Sequence, residues 1–401
     1  MADEGKSSRA GFSRDGLQAA LANMKDLRWW GDFLLRNAIC IAAIFLAVCA
    51  QIYSIQRGAS NTFLSFAAFI DIAKRGAELL FMALGMGGII VLGGVDLSAG
   101  RAVGLTACVC GSLLQKPISE YASKMLPRVV DLPVIGWIQQ RIHPGYTYEM
   151  FAEFNAPPII LVLLLSIAIG GIVGIVNGFC VAKLKLRPFI ATIATQLMLF
   201  GAAIGYMYHN NGNPISGYTV EYKEAVRGSL LVMPAFIDEN RTPVPYYVFY
   251  AIIAAVAMWF IWNKTTLGKN MYAVGANPES ANVSGVSVLR TTIFVFMIAG
   301  ILYGVSGFVN AAMANASTVL TGDGEELDAI AACVIGGVSL KGGVGKISGV
   351  IKGVAILIII RDSLPWLFAW LRLPTSMVFI TKGLIIIAAC AIDMRKRRQM
   401  G

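Results

Sequence analysis

Apolar runs of bilayer-crossing length recur from about residue 33 to the end of the chain, and they rule out most fold classes. A segment in hydrocarbon must satisfy its backbone N–H and C=O groups internally, so each run is expected to be a helix. Only 14% of the 401 residues are charged, where soluble domains carry about 25%. The chain therefore reads as an all-α, polytopic integral membrane protein with about ten transmembrane helices. They fall at approximately 33–53, 79–95, 102–114, 158–182, 188–208, 246–263, 291–313, 327–340, 347–360 and 377–392. The runs 102–114, 327–340 and 347–360 are shorter than the roughly 20 residues of a straight span, and each adjoins a Gly-rich break. Irregular backbone survives at membrane depth only when packed in protein or facing a water-filled cavity, so short, broken spans point toward a transport pathway. The division expected is a polar N-terminal segment 1–32, a transmembrane domain 33–393 and a basic tail 394–401.

Charge sets the orientation. The net charge of +10 sits in short segments that border apolar runs, which favours membrane placement over nucleic-acid binding. With Lys6, Arg9, Arg14, Lys25 and Arg28 inside, an even number of spans also brings inside Lys183, Lys185 and Arg187; Lys264, Lys269 and Arg290; Lys341 and Lys346; and Arg395 to Arg398. Both termini are then cytoplasmic. The long segments 115–156 and 210–245 fall outside, and 61–78, with Lys74 and Arg75, is expected as an outer interfacial helix. The polar start is too long for a signal-peptide n-region, so the first apolar run is read as a retained span.

The seven cysteines lie in apolar runs without a C-x-x-C spacing, and the two histidines, His143 and His209, stand apart in polar stretches. A disulfide framework or a metal site is not expected. No catalytic dyad or Ser-His-Asp set is visible, so an enzyme is not expected either.

The polar connection 264–290 is longer than adjacent spans need. Asn277-Pro278-Glu279 is a helix start: Asn277 as N-cap, Pro278 at the first helical position, Glu279 at the positive dipole end. Gly285 supplies the stop. A short exposed helix of about two turns between spans suits docking to a second protein.

Other motifs are open to two readings. Gly93-Gly94-Val95-Asp96-Leu97-Ser98-Ala99-Gly100 and Gly336-Gly337-Val338-Ser339-Leu340-Lys341-Gly342-Gly343 share a G-G-V-x-L-x-x-G pattern, from an internal duplication or from the chance likeness of Gly-rich turns. Gly170, Gly171, Gly174 and Gly178 permit close packing, inside the subunit or at a dimer seam. Asp96 and Arg101 are functional candidates as ionisable groups at a break, or a mutual ion pair. Glu325-Glu326-Leu327-Asp328 complements a helix dipole or meets a partner. The stretch Gly342 to Ser348 is not a phosphate loop, because Leu340 stands where a Walker A needs its first Gly and Ile347 follows Lys346. Any ATP is expected to be handled by a partner.

These motifs together identify a family resemblance. The chain resembles the permease subunits of bacterial ABC importers for simple sugars, the ribose/galactose type. The match is carried by Gly94-Val95-Asp96-Leu97-Ser98-Ala99-Gly100-Arg101, Asn177-Gly178, Pro188-Phe189-Ile190-Ala191-Thr192 and Pro214-Ile215-Ser216-Gly217. It continues through Trp262-Asn263-Lys264-Thr265 to Gly285, Glu326-Leu327-Asp328-Ala329-Ile330-Ala331-Ala332, Gly336 to Gly345, and Lys382-Gly383-Leu384-Ile385-Ile386-Ile387. The resemblance implies a multi-pass protein of the bacterial cytoplasmic (inner) membrane that pairs with a second copy of itself. It implies a cytoplasmic ATP-binding subunit that holds ATP and Mg, an extracytoplasmic sugar-binding protein, and a small sugar substrate of the galactose, glucose or methyl-galactoside kind. Gly275, Asn277, Pro278, Glu279, Ser280, Ala281, Ser284 and Gly285 would then form the ATPase-coupling segment. Gly93, Gly94, Asp96, Ser98, Arg101, Asn177, Phe189, Thr192, Gly336 and Gly337 are candidates for the pathway or its gating. Two departures stand out: Arg361-Asp362-Ser363-Leu364 where the family has Asn-Gly-Leu, and a replaced aromatic-Gln pair near Ser376-Met377.

Other cargoes, such as another small carbohydrate or a nucleoside, fit the same pattern. An ion-driven secondary carrier would also have short broken helices but should carry buried acidic or histidine relays, and Asp96 alone is a candidate. A non-transporting scaffold would explain the docking loop but not the broken spans.

Overall fold

The computed structural model describes residues 27–56, 65–115, 157–208, 212–232 and 242–374, with scattered positions of the last run between 376 and 391. Most of the N-terminal segment, the connection 116–156, part of 210–245, the basic tail and Cys390 lie outside the described residues.

The long helices in chain order are α1 (Leu27–Gln56), α2 (Phe66–Val91), α3 (Ala99–Leu113), α4 (Ile159–Ala182) and α5 (Pro188–Tyr208). A short strand β1 (Ile215–Ser216), α6 (Val220–Arg227), β2 (Ser229–Val232) and β3 (Pro243–Pro245) lead into α7 (Tyr246–Lys264). Then come α8 (Thr266–Ala276), α9 (Pro278–Val283), α10 (Val288–Ala314), β4 (Ala316–Ser317), α11 (Glu325–Ile335) and α12 (Ile347–Trp370). Among the described residues four helices, α4, α5, α7 and α10, combine the length and apolarity of a membrane crossing. Among the described residues, sheet is confined to two antiparallel ribbons, β1 with β4 and β2 with β3.

Two expected boundaries are wrong. No separate interfacial helix precedes the second run: α2 is continuous from Phe66 through Glu78 to Val91. Ser65 caps it by accepting from the Ala68 N–H at 3.2 Å, and no strong breaker follows to interrupt it. The ninth run does not stop at residue 360 either. Helix α12 carries on through Arg361 and Asp362, and Pro365 sits inside it. Pro365 costs one backbone hydrogen bond, while the Ser363 hydroxyl donates to the Ile359 carbonyl at 2.6 Å.

The core is built around α2 and α10, both buried along much of their length. Helix α10 packs most closely on α4, where the glycines of both helices interdigitate. A Cβ on Gly170 would overlap the Gly300 carbonyl, one on Gly174 the Phe296 carbonyl, and one on Gly304 the Ser166 carbonyl. The small residues of α4 therefore serve packing inside this chain, since without side chains the two backbones can approach closely enough for dispersion contacts. At the far end of α10 the Tyr218 hydroxyl and Ser317 Oγ lie 2.8 Å apart, and Ser317 donates to the Ala107 carbonyl at 3.1 Å. These bonds tie β1, β4 and α3 together.

Candidate functional site

The polar connection 264–290 is more structured than its composition suggests. Helix α7 runs to Lys264, and Thr265 caps α8 by accepting from the Gly268 N–H. The sequence reading missed α8, although Leu267, Met271 and Val274 recur at helical spacing; Met271 and Val274 are buried. Helix α9 follows as expected. Asn277 Oδ1 accepts the Ser280 N–H at 3.0 Å, Pro278 opens the helix, and Glu279 lies in the first turn. It spans six residues, close to the two turns expected, and Gly285 follows it with φ +83. Ala281 faces inward while Pro278, Glu279, Ser280, Ser284 and Gly285 are exposed. Val283, 90% exposed, forms the apolar tip.

This connection rests on both Gly-rich turns. The Gly343 N–H donates to the Val91 carbonyl at 2.7 Å, joining the turn after α11 to the end of α2. Gly275 fills the remaining space, because a Cβ there would overlap the Val91 carbonyl and crowd the Gly343 nitrogen. The Tyr272 hydroxyl donates to the Gly345 carbonyl at 2.8 Å, and burial pushes its pKa above the ordinary phenol value. The Tyr272 ring meets Trp262 edge-on at 6.1 Å.

The two turns close their helices in the same way. Gly93 N–H donates to Ile90 and Gly94 N–H to Ile89; Gly337 N–H donates to Val334 and Val338 N–H to Cys333. The left-handed positions are Gly93 at φ +91 and Gly337 at φ +84. Structure therefore pairs Gly93 with Gly337, one residue out of register with the sequence match that pairs it with Gly336. Gly336 is instead the close-packing residue, abutting Gly349 of α12.

Four candidates from three separate segments form one buried polar network. Asp96 Oδ1 accepts the Ser98 N–H at 2.9 Å and the Ser98 hydroxyl at 2.6 Å. Ser98 Oγ accepts from Asn177 Nδ2 at 2.8 Å. Thr192 Oγ1 accepts the Leu97 N–H at 3.1 Å. Gly94 packs on Pro188 at the start of α5, so the network lies beside the turn that carries Gly93. Phe189 is not part of it; its side chain is exposed.

Arg101 does not pair with Asp96. Asp96 folds back onto its own turn, whereas Arg101 leaves the first turn of α3 toward the loop after β4. Its Nη2 meets Asp323 Oδ1 at 2.6 Å and its Nη1 donates to the Val319 carbonyl at 3.0 Å. Its guanidinium also lies over the Phe200 ring, 4.3 Å from the centroid.

A second polar cluster was not foreseen. Asn310 Nδ2 donates to Glu78 at 2.8 Å and to Glu325 at 3.4 Å, joining α10, α2 and the start of α11. Arg75 Nη1 meets Asp362 Oδ1 at 3.1 Å, so the unusual Arg361-Asp362 pair lies within a helix and is tied to α2. The acidic start of α11 was legible; the sequence separation of 232 positions from Glu78 to Asn310 hid their contact. Among the described residues no group of three or more His, Cys, Asp or Glu could hold a metal ion.

No solved structure matches the chain. Galactose/methyl galactoside import permease protein MglC of Haemophilus influenzae is 36% identical over 367 residues, covering 91% of this chain and 96% of that protein. The Escherichia coli protein of the same name is 36% identical over 335 residues, covering 84% and 88%. The ribose import permease protein RbsC of Bacillus subtilis is 28% identical over 317 residues, covering 79% and 81%. Residues 68–390 match the family described as branched-chain amino acid transport system / permease component, and the chain belongs to that family.

Proposed function

We propose that this chain is the membrane-spanning permease of an ATP-driven importer for a simple sugar, of the galactose or methyl galactoside kind. The observation that carries this reading is the 36% identity to a galactose/methyl galactoside import permease across nine-tenths of both chains. The reading includes about ten spans with both termini cytoplasmic, a homodimer, and a transport subunit that is not itself an enzyme. ATP and Mg belong to a separate ATP-binding subunit, and cargo arrives from an extracytoplasmic sugar-binding protein.

In this reading α9 is the element that meets the ATP-binding subunit. Motion of α9 would pass through Gly275 to the end of α2 and to the turn after α11, which share the Val91–Gly343 hydrogen bond. Beside that point lies the network of Asp96, Ser98, Asn177 and Thr192, held by both α4 and α5. Only contacts that differ between two states can transmit ATP binding, and this junction contacts several helices that could shift together. The cargo path would alternate between the two faces of the membrane.

The test is uptake of radiolabelled D-galactose by cells that depend on this chain, with competition by methyl galactoside, D-ribose and L-arabinose. Uptake that survives collapse of the ion gradients with ATP maintained is expected. Loss of uptake on collapsing those gradients with ATP constant would instead support an ion-driven carrier.

A further inference from the structure

Asn310 joins three helices through one nitrogen. Its Nδ2 donates to Glu78 Oε1 of α2 at 2.8 Å and to Glu325 Oε1, on the first residue of α11, at 3.4 Å. The two carboxylate oxygens therefore lie no farther apart than those two lengths together. Asn310 is buried within α10, and both glutamates are half-buried. Two carboxylates held on one amide repel each other when both are ionised, so such a pair keeps a proton that neither group would keep alone.

The charges around the pair do not neutralise it. Arg75 of α2 spends its Nη1 on Asp362 of α12 at 3.1 Å. Arg361 of α12 attracts both glutamates, but its Nε also lies 4.0 Å from Asp362. Within α11, Asp328 adds a further negative charge toward Glu325, and Glu326 and Asp328 already answer the positive end of that helix. Helix α7 presents Tyr247, a neutral phenol, toward Glu78, while Lys74 of α2 is taken by Asp71 at 3.1 Å. Arg101 of α3 is held by Asp323. Glu78, Glu325, Asp328 and Asp362 are thus left to share the guanidinium groups of Arg75 and Arg361. Glu325 precedes the apolar run 327–340, and burial, with Glu78 and Asp328 close by, pushes its carboxyl up to about 7.

We infer that Glu78 and Glu325 hold one proton between them, and that this proton clamps α2, α10 and α11 together at Asn310 as a pH-sensitive device. With the proton in place one carboxyl is neutral, and Asn310 bridges the pair without repulsion. When the proton leaves to bulk water, two anions face each other across one amide. The start of α11, which directly follows the loop after β4, is then the element that moves away. A carboxyl raised in the folded protein makes the clamp firmest below the ordinary glutamate value of 4.5 and weakens it as pH rises through about 7. The device does not depend on which cargo the chain carries.

The test reads amide hydrogen exchange of residues 325–330 in the full chain, held in lipid nanodiscs, at about pH 6 and about pH 8, after correction for the intrinsic pH dependence of exchange. In the parent, corrected exchange is expected to quicken by about tenfold, following the loss of the protonated form across about pH 7. Glu325→Gln and Glu78→Gln each put a neutral group of nearly the same shape in place of one carboxylate. Each is expected to hold the two rates within about twofold of each other, because a single remaining carboxylate needs no shared proton. A parent whose corrected exchange is the same at both pH values overturns the clamp. So does a glutamine variant at either position that keeps the parent's full response, since the carboxyls would then titrate separately.

Discussion

Gly275 packs so tightly on Val91 that a single added carbon would overlap the Val91 carbonyl. Val91 ends the second helix, and Gly275 lies next to the last residue of the helix that leads into α9. The same carbonyl accepts from Gly343, so three segments distant in sequence converge on one oxygen.

Gly275→Ala should force these segments apart. Single residues along coupled elements carry about 0.5–2 kcal/mol of coupling, so sugar uptake per ATP is expected to fall by about two- to thirtyfold. Parallel measurements of uptake and hydrolysis in the reconstituted importer check this. Equal transport efficiency in variant and parent would remove Gly275 from the coupling route.

Gly285→Val and Glu279→Lys probe α9 itself. Gly285 sits at φ +83, where a β-branched residue is strained by about 1–2 kcal/mol. Glu279 lies at the positive end of a helix dipole, where a lysine is unfavourable. Both should leave ATP hydrolysis running while uptake declines. If both variants transported normally, α9 would not be the element that senses the ATP-binding subunit.

Asn177→Ala removes the donor to Ser98 inside a fully buried network. A buried polar group left without its partner costs about 1–3 kcal/mol. Thermal unfolding of the purified protein in detergent should show a lower midpoint, with Thr192→Val shifting it in the same direction. An unchanged midpoint in both would mean that water replaces the lost bonds.

Gly174→Ala and Gly201→Ala make opposite predictions from the same substitution. A Cβ at Gly174 meets the Phe296 carbonyl and the Met297 backbone, whereas at Gly201 nothing lies within 4 Å. Overpacking of this kind costs about 1–3 kcal/mol, so Gly174→Ala should reduce folded yield. Gly201→Ala should match the parent when the yield of folded protein is compared by size-exclusion chromatography.

Much of the site was legible because its determinants are local. Asn277, Pro278, Glu279 and Gly285 announce α9 through caps and backbone preferences that operate within a few residues. Asp96, Ser98, Asn177 and Thr192 stood out through the motifs that carry the family resemblance. The partners of these residues were less legible. Asp96 and Arg101 looked like an ion pair because they are five positions apart, yet Arg101 reaches Asp323, 222 residues away. Helix α8 was hidden by polar composition, since its stability depends on burying Met271 and Val274 against the rest of the chain.

By itself, the sequence determined that this chain is helical and membrane-embedded, where its Gly-rich turns fall, and which permease family it belongs to. Those properties follow from apolar run length, glycine and proline preferences and motif identity, all of which act along the chain. Only the tertiary structure decided that Gly275 meets Val91 and Gly343, that Gly93 corresponds to Gly337, and that α4 and α10 interlock through their glycines. Such contacts depend on which backbones approach within a methyl group of one another, a property of packing across hundreds of residues that no local pattern encodes.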